Sequence, residues 1–210
     1  MVSTILRVKH WQLFVLIFGI PLLVYLYMIF QMVSVFNEID AGAPDPMVIF
    51  EPLKYFMGFS LISMIVYWVW YWSAGVGLQH KLPDELKLST KLFKVFLFLP
   101  ALYIAAVSIF VLSMVGQLSL LVPEQEPHIN PIIIAVILPF HFLSIFCIFY
   151  CIYFVAKSIK TAELQRKVTF KDFVGEFFLV WFFPIGVWIL QPTLNKLAEV
   201  ADHDEFDNIL

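Results

Sequence analysis

The ionisable side chains inside the apolar stretches of this sequence are few, and Glu176 is the most informative of them. A carboxylate near the centre of a bilayer costs roughly 2.5–3.5 kcal/mol on insertion scales, so such a group faces protein or water. On an ideal helix Glu176 shares a face with Asp172, Gly175 and Gly186, which predicts a face packed against another helix. Glu176 is therefore a candidate proton or cation site. Its closeness to Asp172 favours the milder interpretation, a carboxylate at the level of the lipid headgroups.

His141 lies close to Pro139 within another apolar stretch. It could relay protons, bind haem or hydrogen-bond to a neighbouring helix. A haem held by two histidines needs a second buried histidine at similar depth, and the other four histidines fall in loops or at helix ends. We therefore expect no cofactor and a His141 that hydrogen-bonds across the helical bundle, with Glu176 as one candidate partner.

Cys147 and Cys151 are four residues apart, so they share one face of a helix. His141 falls on nearly the opposite face from Cys147, which argues against a metal site and for buried thiols that act as small apolar groups. The sequence contains no zinc-type Cys/His spacing, no phosphate-binding glycine loop and no nucleophile elbow. We expect no catalytic residues, no metal and no enzymatic activity. The basic loops are too short to indicate nucleic-acid binding.

The elements that must position these residues are long apolar helices. Apolar residues make up 61% of the chain and charged residues 14%, against roughly 25% charged in a soluble domain. A membrane-spanning helix needs about 20 apolar residues, and four stretches reach that length: Trp11–Phe36, Leu53–Val76, Leu92–Leu121 and Pro131–Ala156. The sequence therefore predicts an all-α, multi-pass membrane protein whose first four helices form two hairpins.

Basic residues alternate with these stretches. All of the 13 Lys and Arg except Lys54 and Lys196 fall in Arg7–Lys9, Lys81–Lys94 and Lys157–Lys171, whereas the intervening loops are acidic. This alternation is typical of a protein whose N-terminus lies in the cytoplasm, because basic loops remain on that side. We expect the protein to be located in the inner (plasma) membrane.

The fifth apolar segment, Phe173–Leu190, is shorter and contains Glu176, Pro184 and Gly186. Two architectures compete for it. As a fifth span it would place the C-terminus outside, which the charge rule favours because only Lys196 follows it. As a re-entrant helix with a hinge or kink at Pro184 and Gly186, it would return the C-terminus to the cytoplasm.

The chain thus divides into a cytoplasmic N-terminus (1–10), four helices (11–156), a basic connection (157–172), the fifth segment (173–192) and a short helix with a loose acidic tail (193–210). A shift of 79 residues places Pro21 on Pro100 and Pro52 on Pro131. On the basis of these matching prolines, duplication of the first hairpin to give the second is a hypothesis.

Few ionisable groups lie inside the membrane, and the soluble parts are short loops and a tail. These features favour a non-enzymatic accessory or structural subunit of a membrane complex, with the lipid bilayer and a membrane-protein partner or a second copy as its contacts. The alternative is a small homo-oligomeric transporter or channel, in which Glu176 and His141 form an intramembrane polar pathway.

Overall fold

The computed structural model describes residues 5–39, 47–118 and 131–207, and within these ranges the regular structure is entirely helical. The first long helix comprises α1 (His10–Phe14), a π-helical turn (Val15–Gly19) and α2 (Ile20–Ile39). Next come α3 (Met47–Gly75), 3₁₀ turns at Gly77–Lys81 and Asp84–Leu86, α4 (Lys91–Leu118) and α5 (Pro131–Leu164). The chain ends in α6 (Phe170–Trp181) and α7 (Phe183–Asp207).

Four of these helical stretches are long and apolar enough to cross a membrane: His10–Ser34, Gly58–Lys81, Lys91–Val111 and Ala135–Leu164. The prediction of an all-helical chain with four membrane-length helices is therefore confirmed. Helix α5 begins at Pro131, as expected for a proline in the first helical position. It continues to Leu164, so part of the basic connection is helical.

The π-helical turn leaves one carbonyl that another helix must satisfy. Ile20 donates its backbone N–H to the Val15 carbonyl, five residues earlier. The next bond of this kind would run from Pro21 to Leu16, but proline has no N–H. The Ser63 hydroxyl of α3 instead donates to the Leu16 oxygen at 3.0 Å, and it also lies 3.0 Å from the Phe59 oxygen. One serine thus ties the first long helix to α3.

The fifth apolar segment is two helices rather than one. Helix α6 ends at Trp181, and Phe182 leaves helical geometry with φ −90° and ψ 55°. Pro184 falls in the first turn of α7, where its missing N–H costs no helical hydrogen bond. The expected kink at Pro184 is therefore a break two residues earlier. The predicted short helix and loose tail differ as well, because α7 continues without interruption to Asp207.

Gly186 makes the tight corner between α6 and α7 possible. A Cβ added at Gly186 would lie 1.8 Å from the Leu179 oxygen, so no larger residue fits this approach of two backbones. Gly186 and Ile185 both donate their N–H groups to the Phe182 carbonyl, at 2.9 and 3.0 Å. The expectation that Gly186 shares a face with Glu176 is wrong, since the break separates them. Gly175, expected in a packed face, has open space around it.

The hydrophobic core gathers around the ends of the helices that neighbour the three basic segments. Its fully buried side chains include Leu6 beside Arg7, Phe93 beside Lys94 and Ile159 beside Lys160, and they belong to one cluster. Further members of the cluster come from the other elements at this end: Leu13, Trp70, Leu78, Phe173, Phe183, Leu190 and Leu194. This cluster is called the basic-end core below. It shows that all three basic segments lie at one end of the molecule.

The aromatic residues at the end of α3 belong partly to this core. Amphipathic rings near a helix end commonly form a belt at the membrane surface. Trp70 and Tyr71 are instead buried, whereas Trp68 and Trp72 are half-buried. The Trp70 ring packs edge-on against Phe183 with centroids 4.6 Å apart. Trp70 and Tyr71 therefore belong to the core rather than to an interfacial belt, and α7 covers Trp70 through Phe183 and Gln191.

We predict that Gly186→Ala destabilises the protein by about 2 kcal/mol, because the new methyl group forces α6 and α7 apart. Gly175→Ala is the matched control, as it adds the same methyl group in open space and improves helix propensity. Thermal unfolding in detergent, followed by circular dichroism, measures both variants. Equal midpoints for the two variants would refute the close approach at Gly186.

Candidate functional site

Glu176 forms an ion pair at the basic end of the molecule. Its carboxylate lies 3.0 Å from the Lys160 ammonium of α5, which also contacts Glu163 at 2.9 Å. The side chains of Lys160 and Glu176 are 20% and 17% exposed, so both retain some access to solvent. Lys160 is one turn from the end of α5. The ion pair links α6 to α5.

A second ionic contact fixes the start of α6. Thr169 and Asp172 form a capping box: the Asp172 carboxylate accepts from the Thr169 N–H at 2.7 Å and from its hydroxyl at 2.8 Å. The Arg166 guanidinium donates to the same carboxylate at 2.8 Å. These hydrogen bonds, the one from Arg166 above all, hold the pKa of Asp172 well below its usual value. The carboxylate is therefore charged at neutral pH and stabilises the helix N-terminus.

Gln191 is the most extensively connected polar side chain at this end. It is fully buried in α7, and its side-chain oxygen accepts from the Trp70 indole N–H at 2.9 Å. Its side-chain nitrogen lies 3.1 Å from the Ile5 carbonyl oxygen and 2.9 Å from that of Val8. One amide thus joins α7, α3 and the segment that precedes the first helix. A buried amide is stable only with such partners.

Two further side chains hold the 3₁₀ turn at Gly77–Lys81 against its neighbours. The Gln79 amide is buried; it donates to the Ser158 hydroxyl of α5 at 3.1 Å and accepts from the Leu88 N–H at 2.7 Å. The Lys81 ammonium donates to the carbonyls of Leu197 and Ala198 in α7, at 3.3 and 3.1 Å. The returning half of α7 therefore lies beside the connection between α3 and α4.

His141 lies far from these contacts. It is exposed on α5, and its Nδ1 atom lies 3.3 Å from the Tyr103 hydroxyl of α4. The rise from His141 to Lys160 along α5 is roughly 28 Å at about 1.5 Å per residue. Because Glu176 contacts Lys160, the structure does not bring Glu176 and His141 together. Tyr103, rather than Glu176, is the partner of His141.

The thiols of Cys147 and Cys151 are buried in α5. Among the residues that the structure describes, no three His, Cys, Asp or Glu side chains lie close enough to bind one metal ion. Three residues that organise the basic end were not predicted from the sequence: Gln191, Gln79 and Lys160. Each is a polar side chain inside or beside an apolar stretch, and that placement was the available signal.

We predict that Gln191→Leu destabilises the protein by about 3 kcal/mol, because it leaves the Trp70 N–H and the carbonyls of Ile5 and Val8 buried without their partner. Hydrogen exchange should rise in the N-terminal segment before the rest of the protein unfolds. Thr193→Val is the control, since the Thr193 hydroxyl bonds only within its own helix, to the Ile189 carbonyl at 3.2 Å. Unchanged protection of the N-terminal segment in Gln191→Leu would contradict the assigned role.

The polar contacts at the basic end share one property: each joins two or more elements of the chain. Gln191 connects α7 with α3 and the N-terminal segment, Gln79 connects its turn with α5, and Lys160 connects α5 with α6. These contacts fix the ends of the helices relative to one another. Searches against protein-family models, curated proteins and solved structures found no match to this chain.

Proposed function

We propose that this chain is a non-enzymatic, multi-pass membrane protein that serves as an accessory or structural subunit of a membrane complex. The observation that carries this proposal is the contrast between a tightly connected basic end and sparsely covered spans. The polar side chains at the basic end fix helices rather than surround a substrate-sized space. The helices beyond that end retain most of their apolar surface for other molecules in the membrane.

The fraction of residues that is buried within the protein differs strongly from one span to another. In the most apolar window of the second span, 44% of the residues are buried, against 11% for the first and third spans. On α2 the exposed side chains include Leu22, Leu23, Leu26 and Phe30, which form a stripe along one side of the helix. Helices associate in membranes chiefly through side-chain packing. The α2 stripe is therefore the surface that we assign to a partner helix.

The orientation follows from charge. The three basic segments lie at the same end of the molecule, and segments rich in Lys and Arg remain in the cytoplasm. We place the N-terminus and the basic-end core at the cytoplasmic face of the inner (plasma) membrane. The ends of the paired helices that lie away from the basic end, at Ile39, Met47, Leu118 and Pro131, then face the opposite side.

Helices α6 and α7 fit a re-entrant hairpin better than a fifth span. Helix α6 has 12 residues, a length of roughly 18 Å, which is about half of a hydrocarbon core of roughly 30 Å. Side chains near the corner are exposed and apolar, among them Trp181, Phe182 and Ile185. The far half of α7 returns to Lys81 at the basic end. This favours the alternative that leaves the C-terminus in the cytoplasm.

The re-entrant arrangement predicts the accessibility of an introduced cysteine. Glu199→Cys, at an exposed position of α7, should react with a membrane-impermeant thiol reagent only after the cells are permeabilised. Asp84→Cys should behave in the same way, and Gln125→Cys should react in intact cells. The buried native thiols of Cys147 and Cys151 contribute no background. Labelling of Glu199→Cys in intact cells would instead establish a fifth span.

The subunit role predicts a defined heteromeric complex. Extraction in a mild detergent followed by native mass analysis should give the chain with a different membrane protein at fixed stoichiometry. Leu26→Ala combined with Phe30→Ala should release that partner, because both side chains lie in the α2 stripe. Ile109→Ala is the control, since it truncates an exposed apolar side chain on α4.

A homo-oligomer without any partner would contradict the subunit role. The transport alternative would then be tested in liposomes with the same preparation. A proton flux that falls in Glu176→Gln or His141→Ala, while both variants remain folded, would establish that alternative in place of the subunit role.

A further inference from the structure

A long apolar cleft lies between α4 and the outer part of α5. Its volume is about 1020 Å³, at the upper end of the range of roughly 300–1,000 Å³ for ligand pockets. Its lining includes Lys94, Phe98, Leu102, Tyr103 and Phe110 of α4, with Phe140 of α5. They define the α4–α5 cleft. On α4 they recur at helical spacing, so the cleft follows one side of that helix.

The charge in the α4–α5 cleft lies at one end. Among the described lining residues, Lys94 is the charged one. It lies in the first turn of α4, at the basic end of the molecule. Its ammonium group lies 5.4 Å from the centre of the Trp72 ring, a cation–π contact that holds it beside α3. Lys91 is three residues away on the same side of the helix. The Asp84 carboxylate, in the turn that precedes α4, pairs with Lys87 at 2.6 Å.

Beyond Lys94, the described residues that line the cleft are apolar except for Tyr103. The Tyr103 hydroxyl already contacts His141 Nδ1. From Lys94 to Phe110 the cleft extends roughly 24 Å along α4. A positive charge at one end followed by a long apolar channel matches an amphiphile that has an anionic head and a hydrocarbon tail.

A transmembrane helix fits this cleft poorly. Helices that pack closely in membranes meet through small residues that let their backbones approach. The described lining is dominated by large side chains, including Phe98, Leu99, Leu102, Phe110 and Phe140, and Ala106 is the small residue among them. Flexible acyl chains adapt to such an irregular surface, whereas a rigid helix does not.

We propose that the α4–α5 cleft binds an anionic phospholipid from the leaflet at the basic end, with its phosphate at Lys94 and an acyl chain along α4. Anionic lipids are enriched in the cytoplasmic leaflet, where basic side chains attract them. The site rests on membrane insertion of the chain and not on the proposed subunit role. A specific lipid here would fill the space between α4 and α5 that the protein leaves open.

The test uses the full-length protein, purified in detergent and stripped of lipid. Native mass spectrometry compares the binding of phosphatidylglycerol and phosphatidylcholine that carry the same acyl chains. We expect phosphatidylglycerol to bind more tightly. Lys94→Gln should weaken that binding about fivefold and leave phosphatidylcholine unchanged. Ala106→Trp, which fills the cleft, should weaken the binding of both lipids.

Lys171→Gln is the matched control, because it removes the same charge from an exposed position on α6. Equal affinities of the wild-type protein for the two lipids would overturn the proposal, as would unchanged phosphatidylglycerol binding in Lys94→Gln. A lipid-free dimer that Ala106→Trp converts to a monomer would show that a second copy of the chain occupies the cleft. If Ala106→Trp does not fold, the Lys94→Gln comparison decides, since it changes one half-buried side chain at the end of the cleft and leaves the apolar lining intact.

Discussion

The arrangement of this protein depends on one buried amide more than on any other group. Gln191 is fully buried and contacts the Trp70 indole together with the carbonyls of Ile5 and Val8. An unpaired amide in an apolar environment costs several kcal/mol, so α7 is stable in its position only where these partners are present. The same contacts hold the N-terminal segment beneath α7. The two ends of the described chain are therefore folded against each other, and the helices between them are fixed at that end.

The requirement that buried polar groups have partners also explains how the irregular backbone of the first long helix is stabilised. A π-helical turn before Pro21 would leave the Leu16 carbonyl without a donor in an environment that contains no water. Ser63 supplies the donor from α3. The irregularity and its compensation thus occur together, and the proline determines where α2 and α3 must meet. At the corner between α6 and α7, the Phe182 carbonyl accepts two N–H groups, which serves the same purpose.

The sequence predicted those features that depend on local chemistry. The four long helices followed from the length of the apolar stretches, because a helix that crosses a membrane needs about 20 apolar residues. The position of the break at Phe182 did not follow, because it depends on the approach of Gly186 to Leu179, which are not neighbours in a single helix. The burial of Trp70 could not be predicted either, since an amphipathic ring is equally suited to a membrane surface and to a core. Glu176 was identified from the sequence as a candidate site residue. Its ion pair with Lys160 was not predicted, because that pair joins two different helices and depends on tertiary contacts.

The division of the molecule into a fixed end and sparsely covered spans has a physical consequence. Burial of apolar surface against lipid provides no hydrophobic driving force between helices, because lipid chains are as apolar as leucine side chains. Only packing and polar contacts can hold the helices together, and the contacts described above are concentrated at the basic end. The outer parts of α2, α4 and α5 are therefore the regions where a bound lipid or partner adds most to the packing of the bundle. A protein built in this way gains order from the molecules around it, which suits a component of a larger membrane assembly.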